Sequence, residues 1–275
     1  MLIAAFGFAV MGALVKVGAA KFNSAELVFY RSIFGLMAIY VYIFAKKLPL
    51  ATPVMGKQMS RALVGFASLV LFFYAIAHLP LATAVTLNYT SALFLALLMP
   101  LMLHEKPKPI LYAMILLGFI GVVMLLKPSF AKQDLAAGAV GLLSGLGAAF
   151  AYVHVKQLGN LGEPDWRTVF YFTLISTIAS GFWMLLQTYT ALAWNDILTL
   201  LGLGTSATIA QLAMTRAYRT GKTLTVASLA YTTVIFASLF GVFFWQEALS
   251  LSECIAIGII VLSGIVSANA TNRSA

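Results

Sequence analysis

The residues with the greatest capacity for chemistry in this sequence are two cations that interrupt long apolar stretches. Lys16 and Arg31 each lie inside such a stretch, on either side of a short polar segment. A Lys or Arg near the middle of a membrane costs about 2.5–3.5 kcal/mol on insertion scales, so neither side chain is expected to face lipid. Together they predict a cationic patch for a carboxylate or phosphate. The structural alternative is snorkelling to the outer interface or an ion pair with Glu26.

A polar cluster at residues 88–91 (NYTS) interrupts another apolar stretch. Consecutive residues cannot share one face of a helix, so only some of these side chains can point inward. Tyr89 is favoured because Tyr231 repeats it in the second half, and two tyrosines could offer stacking surfaces and hydroxyls to an organic solute. Hydrogen bonding between helices is the structural alternative. With two weaker candidates added, the predicted substrate-binding residues are Lys16, Arg31, Tyr74, Asn88, Tyr89, Gln211 and Tyr231.

Residues with catalytic or metal-binding spacing do not accompany these candidates. All eight acidic residues are predicted in connections or at the ends of apolar stretches, so no buried carboxylate is expected to relay protons. The sequence has no acidic or histidine cluster with metal spacing and no glycine-rich loop for nucleotide phosphates. We therefore predict no cofactor, no metal and no enzymatic activity.

The composition requires helices within a lipid bilayer to position these residues. Of 275 residues, 62% are hydrophobic and 9% are charged, with a mean hydropathy of +0.98. Soluble domains carry about 25% charged residues, so a water-soluble enzyme is excluded. Stretches that are apolar on every side favour helices over the alternating strands of a barrel. Ten stretches near the length of a spanning helix are predicted at 1–20, 25–45, 59–77, 82–103, 110–126, 137–157, 168–187, 197–215, 224–245 and 253–270.

Lysine and arginine orient these spans. With both termini in the cytoplasm, the outer connections hold Lys21, Lys127 and Lys132. The inner connections then hold the larger set, which is Lys46, Lys47, Lys57, Arg61, Lys106, Lys108, Lys156, Arg167, Arg216, Arg219, Lys222 and Arg273. Short basic loops are typical of the cytoplasmic side of a membrane protein. The net charge of +9 is therefore explained by topology, and no nucleic acid partner is predicted.

An internal repeat divides the chain into two halves. A shift of 142 positions places Tyr89 on Tyr231 and Glu105 on Glu247. Each half holds five spans, and because five is odd the second copy is inverted relative to the first. We predict repeats at 1–127 and 137–270. Inverted repeats are typical of secondary transporters, with a solute site near the midplane between the halves.

The sequence resembles the drug/metabolite transporter superfamily, and within it the EamA-type ten-helix members. The matching stretches are 26–32 (ELVFYRS), 73–82 (FYAIAHLPLA), 87–91 (LNYTS) with Glu105, 211–218 and 231–247. The resemblance covers nearly the whole chain. It implies a basket of spans 1–4 and 6–9 around a central cavity, with spans 5 and 10 at the periphery.

The repeat and the resemblance predict an inner-membrane secondary transporter or facilitator of small organic metabolites that works by alternating access. Lys16 and Arg31 favour amino-acid-like or anionic amphipathic solutes, with export as the expected direction. Import of S-adenosylmethionine, riboflavin or a similar cofactor is one alternative, and a flippase for lipid carriers is another. An intramembrane enzyme is disfavoured because the sequence offers no buried acid or nucleophile set. The expected partners are the solute and membrane lipid, and the chain is expected to be a monomer or homodimer.

Overall fold

The computed structural model describes residues 1–79, 81–127, 135–188, 190–246 and 250–272. These residues contain helices and connections but no strand. The helices are α1 Leu2–Gly18, α2 Ser24–Ala45, α3 Met55–His78, α4 Leu81–Tyr89, α5 Ser91–Met102, α6 Pro109–Leu126, α7 Leu135–Asn160, α8 Asp165–Leu185, α9 Trp194–Thr220, α10 Thr223–Ala230, α11 Thr232–Trp245 and α12 Leu251–Asn272. Lys132, Glu247 and Arg273, which contribute to the charge and repeat arguments, lie outside the described residues.

The prediction of an all-helical membrane protein is confirmed. Over the described part of the chain, nine helical segments are long and apolar enough to cross a bilayer. Two of them each consist of a pair of consecutive helices, α4 with α5 and α10 with α11. The shorter α1, with 17 residues, accounts for the first predicted stretch.

The fourth and ninth predicted stretches are each interrupted at one residue, Thr90 and Tyr231. Thr90 Oγ1 donates a hydrogen bond to the Leu87 carbonyl, and Thr232 Oγ1 donates one to the Leu229 carbonyl at 2.7 Å. A threonine hydroxyl bonded to the preceding turn competes with the backbone pattern of the helix and bends it. The two interruptions are 141 positions apart, within one residue of the 142-position shift of the sequence repeat.

The helices form a ring, and helices that follow each other in the sequence seldom pack side by side in it. Helix α1 packs on α9, α9 on α2, α2 on α8, α8 on α3, α3 on α7 and α7 on α5. Helix α11 returns to α1, and α10 meets α5. Helices α6 and α12 pack chiefly on each other. This agrees with the peripheral fifth and tenth spans that the family resemblance implies.

The connection before α2 is tied to the connection before α9. The Glu26 carboxylate accepts a hydrogen bond from the Asn23 backbone N at 2.7 Å, and the Asn23 side chain accepts one from the Glu26 backbone N at 3.0 Å. These reciprocal bonds form a capping box at the start of α2. Glu26 also accepts a hydrogen bond from the Thr190 backbone N. It forms no ion pair with Arg31, so that structural alternative for Arg31 is wrong.

Candidate substrate-binding site

Arg31 lies at a small cavity between α2, α8 and α9. Its side chain is buried, with 9% of the residue exposed. The free volume is about 10 Å³, close to what one water molecule needs. The lining residues are Arg31, Ser32, Phe172, Thr173, Ala207, Thr208 and Gln211. The structure therefore brings together two of the predicted site residues, Arg31 and Gln211, from different halves of the chain.

The polar groups at this cavity include N–H donors without acceptors. Neither Arg31 Nε nor Gln211 Nε2 has a hydrogen-bond partner within the described ranges. A buried donor left without a partner costs about 1–3 kcal/mol, and more when it is charged. An oxygen-rich group entering the cavity would satisfy both donors. The chemistry of the site therefore favours a solute that offers carboxylate, phosphate or carbonyl oxygens.

The two repeated tyrosines meet, as the sequence register predicts. The ring centroids of Tyr89 and Tyr231 are 6.0 Å apart, with the planes tilted by 57°. Tyr231 is fully buried in an apolar cluster, and a Cβ added to Gly118 of α6 would lie 2.7 Å from its ring. Its hydroxyl has no hydrogen-bond partner in the part of the chain that the structure covers.

Of the seven predicted residues, only Arg31 and Gln211 line the cavity. The three not yet described lie elsewhere. Lys16 is exposed in the last turn of α1. Tyr74 is 45% exposed and stacks on His78, with 4.0 Å between the ring centroids. Asn88 Nδ2 donates to Ser144 Oγ at 3.2 Å and so joins α4 to α7. This contact matches the structural alternative for the polar cluster, hydrogen bonding between helices.

Arg61 is a buried residue that sequence reasoning assigned to an inner connection. It is 2% exposed, and its guanidinium carbon lies 4.1 Å from the centre of the Phe172 ring. Tyr152 stacks on Tyr218, with 4.7 Å between the ring centroids. The available signal was that Arg61 falls within the predicted apolar stretch 59–77. The orientation argument nevertheless counted Arg61 among the charges of the inner connections.

One end of the ring is closed by four polar residues, Thr52, Gln58, Glu163 and Arg167, which we call the Glu163 cluster. The Glu163 carboxylate accepts hydrogen bonds from Thr52 Oγ1 at 2.7 Å, Gln58 Nε2 at 2.9 Å and Arg167 Nη1 at 3.1 Å. Gln58 lies one turn before Arg61 on α3. Glu163 is only 4% exposed. Glu163 lies in the connection before α8 and Glu26 in the first turn of α2, where acidic residues were predicted, yet both are buried. The lack of a proton-relaying carboxylate stays a prediction.

Comparison with known proteins places these features in a family. The model of the EamA-like transporter family matches residues 1–127 and 136–268. The pseudopaline exporter CntI of Pseudomonas aeruginosa (strain PAO1) is 31% identical over 280 residues, covering 98% of this chain and 95% of that protein. An uncharacterized transporter of Helicobacter pylori (strain J99) is 30% identical, covering 97% and 92%. A riboflavin transporter of Vibrio cholerae is 26% identical, covering 79% and 74%.

The fold has a close counterpart among solved structures. One protein crystal structure matches 98% of this chain and 98% of its own, with a TM-score of 0.84 and 19% sequence identity. At that identity the likeness supports the fold alone. The matched family and the named relatives are transporters, so the protein is a multi-pass membrane transporter and not an enzyme. Because the family model covers nearly all of the sequence, the chain belongs to the EamA-like transporter family.

Proposed function

We propose that this transporter is an inner-membrane secondary transporter or facilitator that exports small organic metabolites of anionic amphipathic or amino-acid-like character. The observation that carries this proposal is the buried Arg31 beside Gln211, each with an N–H donor that has no acceptor among the described residues. A carboxylate on the solute supplies the missing acceptor and charge. The similarity to a pseudopaline exporter supports export as the direction.

Alternating access by two inverted five-helix repeats, 1–127 and 137–270, is the proposed mechanism. Two separate family-model matches support this division, as do the helix interruptions at Thr90 and Tyr231, which lie within one residue of the repeat register. Arg31 and Gln211 come from different repeats, so rocking of one repeat against the other changes the side from which the cavity opens. The basic connections favour both termini in the cytoplasm.

Solute counterflow tests the proposed function. The purified protein is reconstituted in liposomes preloaded with single metabolites, and entry of the same radiolabelled metabolite is followed. We expect counterflow for at least one carboxylate-bearing metabolite, and a loss of that counterflow in Arg31→Gln. Absence of counterflow for every carboxylate, amino acid and cofactor in the panel would overturn the proposal.

Riboflavin import is the second candidate function. The similarity to riboflavin transporters of Vibrio cholerae and Brucella anthropi favours it, at 26% identity in both cases. The stacked rings of Tyr152 and Tyr218 are compatible with a flat aromatic solute. Growth of a riboflavin auxotroph on external riboflavin, when it expresses this chain, would favour import over export.

The Tyr231 hydroxyl offers a direct test of the tyrosine pair. Tyr231→Phe removes a buried hydroxyl that has no partner, so the melting temperature in detergent is expected to stay equal or rise. If the hydroxyl binds solute, counterflow falls by about two- to tenfold, the worth of one hydrogen bond. Tyr40→Phe, at a residue 52% exposed, is the control. Unchanged counterflow in Tyr231→Phe would remove Tyr231 from the site.

A further inference from the structure

Arg61 is a second buried cation for which the structure provides no counter-charge. With 2% of the residue exposed, it forms no ion pair with any described carboxylate. Its Nε and Nη1 atoms have no hydrogen-bond partner there either. The contact with the Phe172 ring, at 4.1 Å, compensates only part of the lost hydration. A buried charge in this condition strongly destabilises a protein unless a ligand completes it.

Arg61 and Arg31 belong to one continuous region. Phe172 lies against the Arg61 guanidinium and also lines the cavity that contains Arg31 and Gln211. Two like charges that share one buried region repel each other, and this repulsion adds to the desolvation of each charge. Both effects are relieved when negative charge enters between them.

Nitrogen donors of Arg31, Arg61 and Gln211 are buried and lack hydrogen-bond acceptors among the described residues. Arg31 Nε, Arg61 Nε, Arg61 Nη1 and Gln211 Nε2 are all donors without acceptors. The two buried carboxylates in the described part of the chain, Glu26 and Glu163, already accept hydrogen bonds from other groups. A zwitterionic solute would bring an ammonium group for which the site offers no anion. A monovalent anion would leave one arginine uncompensated.

We propose that Arg31, Arg61 and Gln211 form a single site for a solute with two negative charges, carried on two carboxylates or on one phosphate. The inference rests on the proposed transport function and specifies its substrate class. The cavity beside Arg31 holds about one water molecule, so admission of such a solute requires α2, α8 and α9 to separate. Arg61 contributes charge and hydrogen bonds to the solute, and Phe172 holds its guanidinium plane.

Thermal-shift titration of the purified protein in detergent tests the site. The probes are succinate and inorganic phosphate, compared with acetate and chloride at matched ionic strength. We expect the dianions to raise the melting temperature at concentrations where acetate and chloride do not. A response to succinate alone identifies a dicarboxylate site, and a response to phosphate alone identifies a phosphate site. Equal shifts with all four anions, or a shift with none, would overturn the proposal.

Substitutions identify the residues that carry the effect. Arg31→Gln and Arg61→Gln are each expected to weaken dianion binding about tenfold or more, since each removes charge-assisted hydrogen bonds. Lys57→Gln removes one exposed positive charge a turn before Arg61 on α3, and it is expected to leave binding unchanged. If all three variants weaken binding equally, general electrostatic attraction replaces the proposed site.

The proposal and a purely structural role for Arg61 predict opposite changes in the melting temperature of Arg61→Met. Without added anion, Arg61→Met is expected to raise the melting temperature, because it replaces an uncompensated buried charge with an apolar chain of similar length. A lower melting temperature combined with unchanged dianion binding would make Arg61 structural and overturn its assignment. If counterflow of a zwitterion or monoanion is lost in Arg31→Gln but persists in Arg61→Gln, only this inference fails. A lack of all counterflow in the unaltered protein counts against the proposed function itself.

Discussion

Replacement of Glu163 by glutamine is expected to open the proposed cytoplasmic end of the bundle and to lower stability by about 3–5 kcal/mol. Arg167 would keep a buried guanidinium without its carboxylate, because its side chain is only 11% exposed. Thr52 and Gln58 would also lose a charged acceptor. These bonds join the connection after α2 to the connection before α8. Their loss therefore weakens closure between the two halves.

Accessibility of a single cysteine measures this opening. Ser32→Cys places a thiol at the cavity beside Arg31 in a Cys254→Ser background, where it is the only cysteine. We expect Glu163→Gln to raise its labelling by an impermeant maleimide, added from the cytoplasmic side, by at least about tenfold, the equivalent of 1.4 kcal/mol. The melting temperature of Glu163→Gln in detergent gives the stability change.

Asp165→Asn is the matched control for this experiment. Asp165 lies two residues away and pairs with Arg219 at 3.5 Å, but both side chains are partly exposed. Exposed ion pairs contribute about 0–1 kcal/mol, so the expected change in labelling is small. Equal labelling in Glu163→Gln and Asp165→Asn would show that the Glu163 cluster does not close this end.

Gly145→Ala is expected to destabilise the bundle by about 1–3 kcal/mol, although alanine is the better helix former. The added Cβ would clash with Thr90 Oγ1 and would lie 2.7 Å from the Leu87 carbonyl oxygen. A backbone carbonyl cannot rotate away, so α4 would have to shift from α7. The shift would act directly on the helix interruption at Thr90. A lower melting temperature and slower counterflow are the expected readouts.

Gly138→Ala separates this clash from the effect of alanine itself. Gly138 lies two turns earlier on α7, and a Cβ added there meets nothing within 4 Å. The variant should gain up to about 1 kcal/mol from helix propensity alone. If Gly145→Ala is as stable as Gly138→Ala, the close approach of α4 and α7 does not contribute to packing.

The membrane fold was predictable because the spans are long and uniformly apolar, while the interruption at Thr90 was not. The polar cluster at 88–91 was interpreted as a candidate cavity wall. In the structure the Thr90 hydroxyl donates to the Leu87 carbonyl and the Asn88 amide donates to the Ser144 hydroxyl. Local hydrogen bonding absorbs these polar groups, and sequence alone does not distinguish that use from solute binding.

The candidate site was predictable only in part, because packing partners are not sequence neighbours. Arg31 and Gln211 were identified, and the structure places them at one cavity. Lys16 was expected beside Arg31 on a neighbouring helix, but α1 packs on α9 and α11 while α2 packs on α8 and α9. Arg61 was missed because its burial depends on α8, which supplies Phe172 more than a hundred positions further along the chain.

The two arginines without carboxylates have an electrical consequence. A charge that crosses the full membrane potential changes energy by about 2.3 kcal/mol per 100 mV. With a dianion bound, Arg31 and Arg61 form a group with no net charge, and voltage acts weakly on the step that carries the solute. Without the dianion, the same step moves uncompensated positive charge through the field. For the proposed site in a membrane that is negative inside, voltage therefore acts mainly on the return of the unloaded carrier to the cytoplasmic side, which it favours, and so it drives one-way export of the dianion.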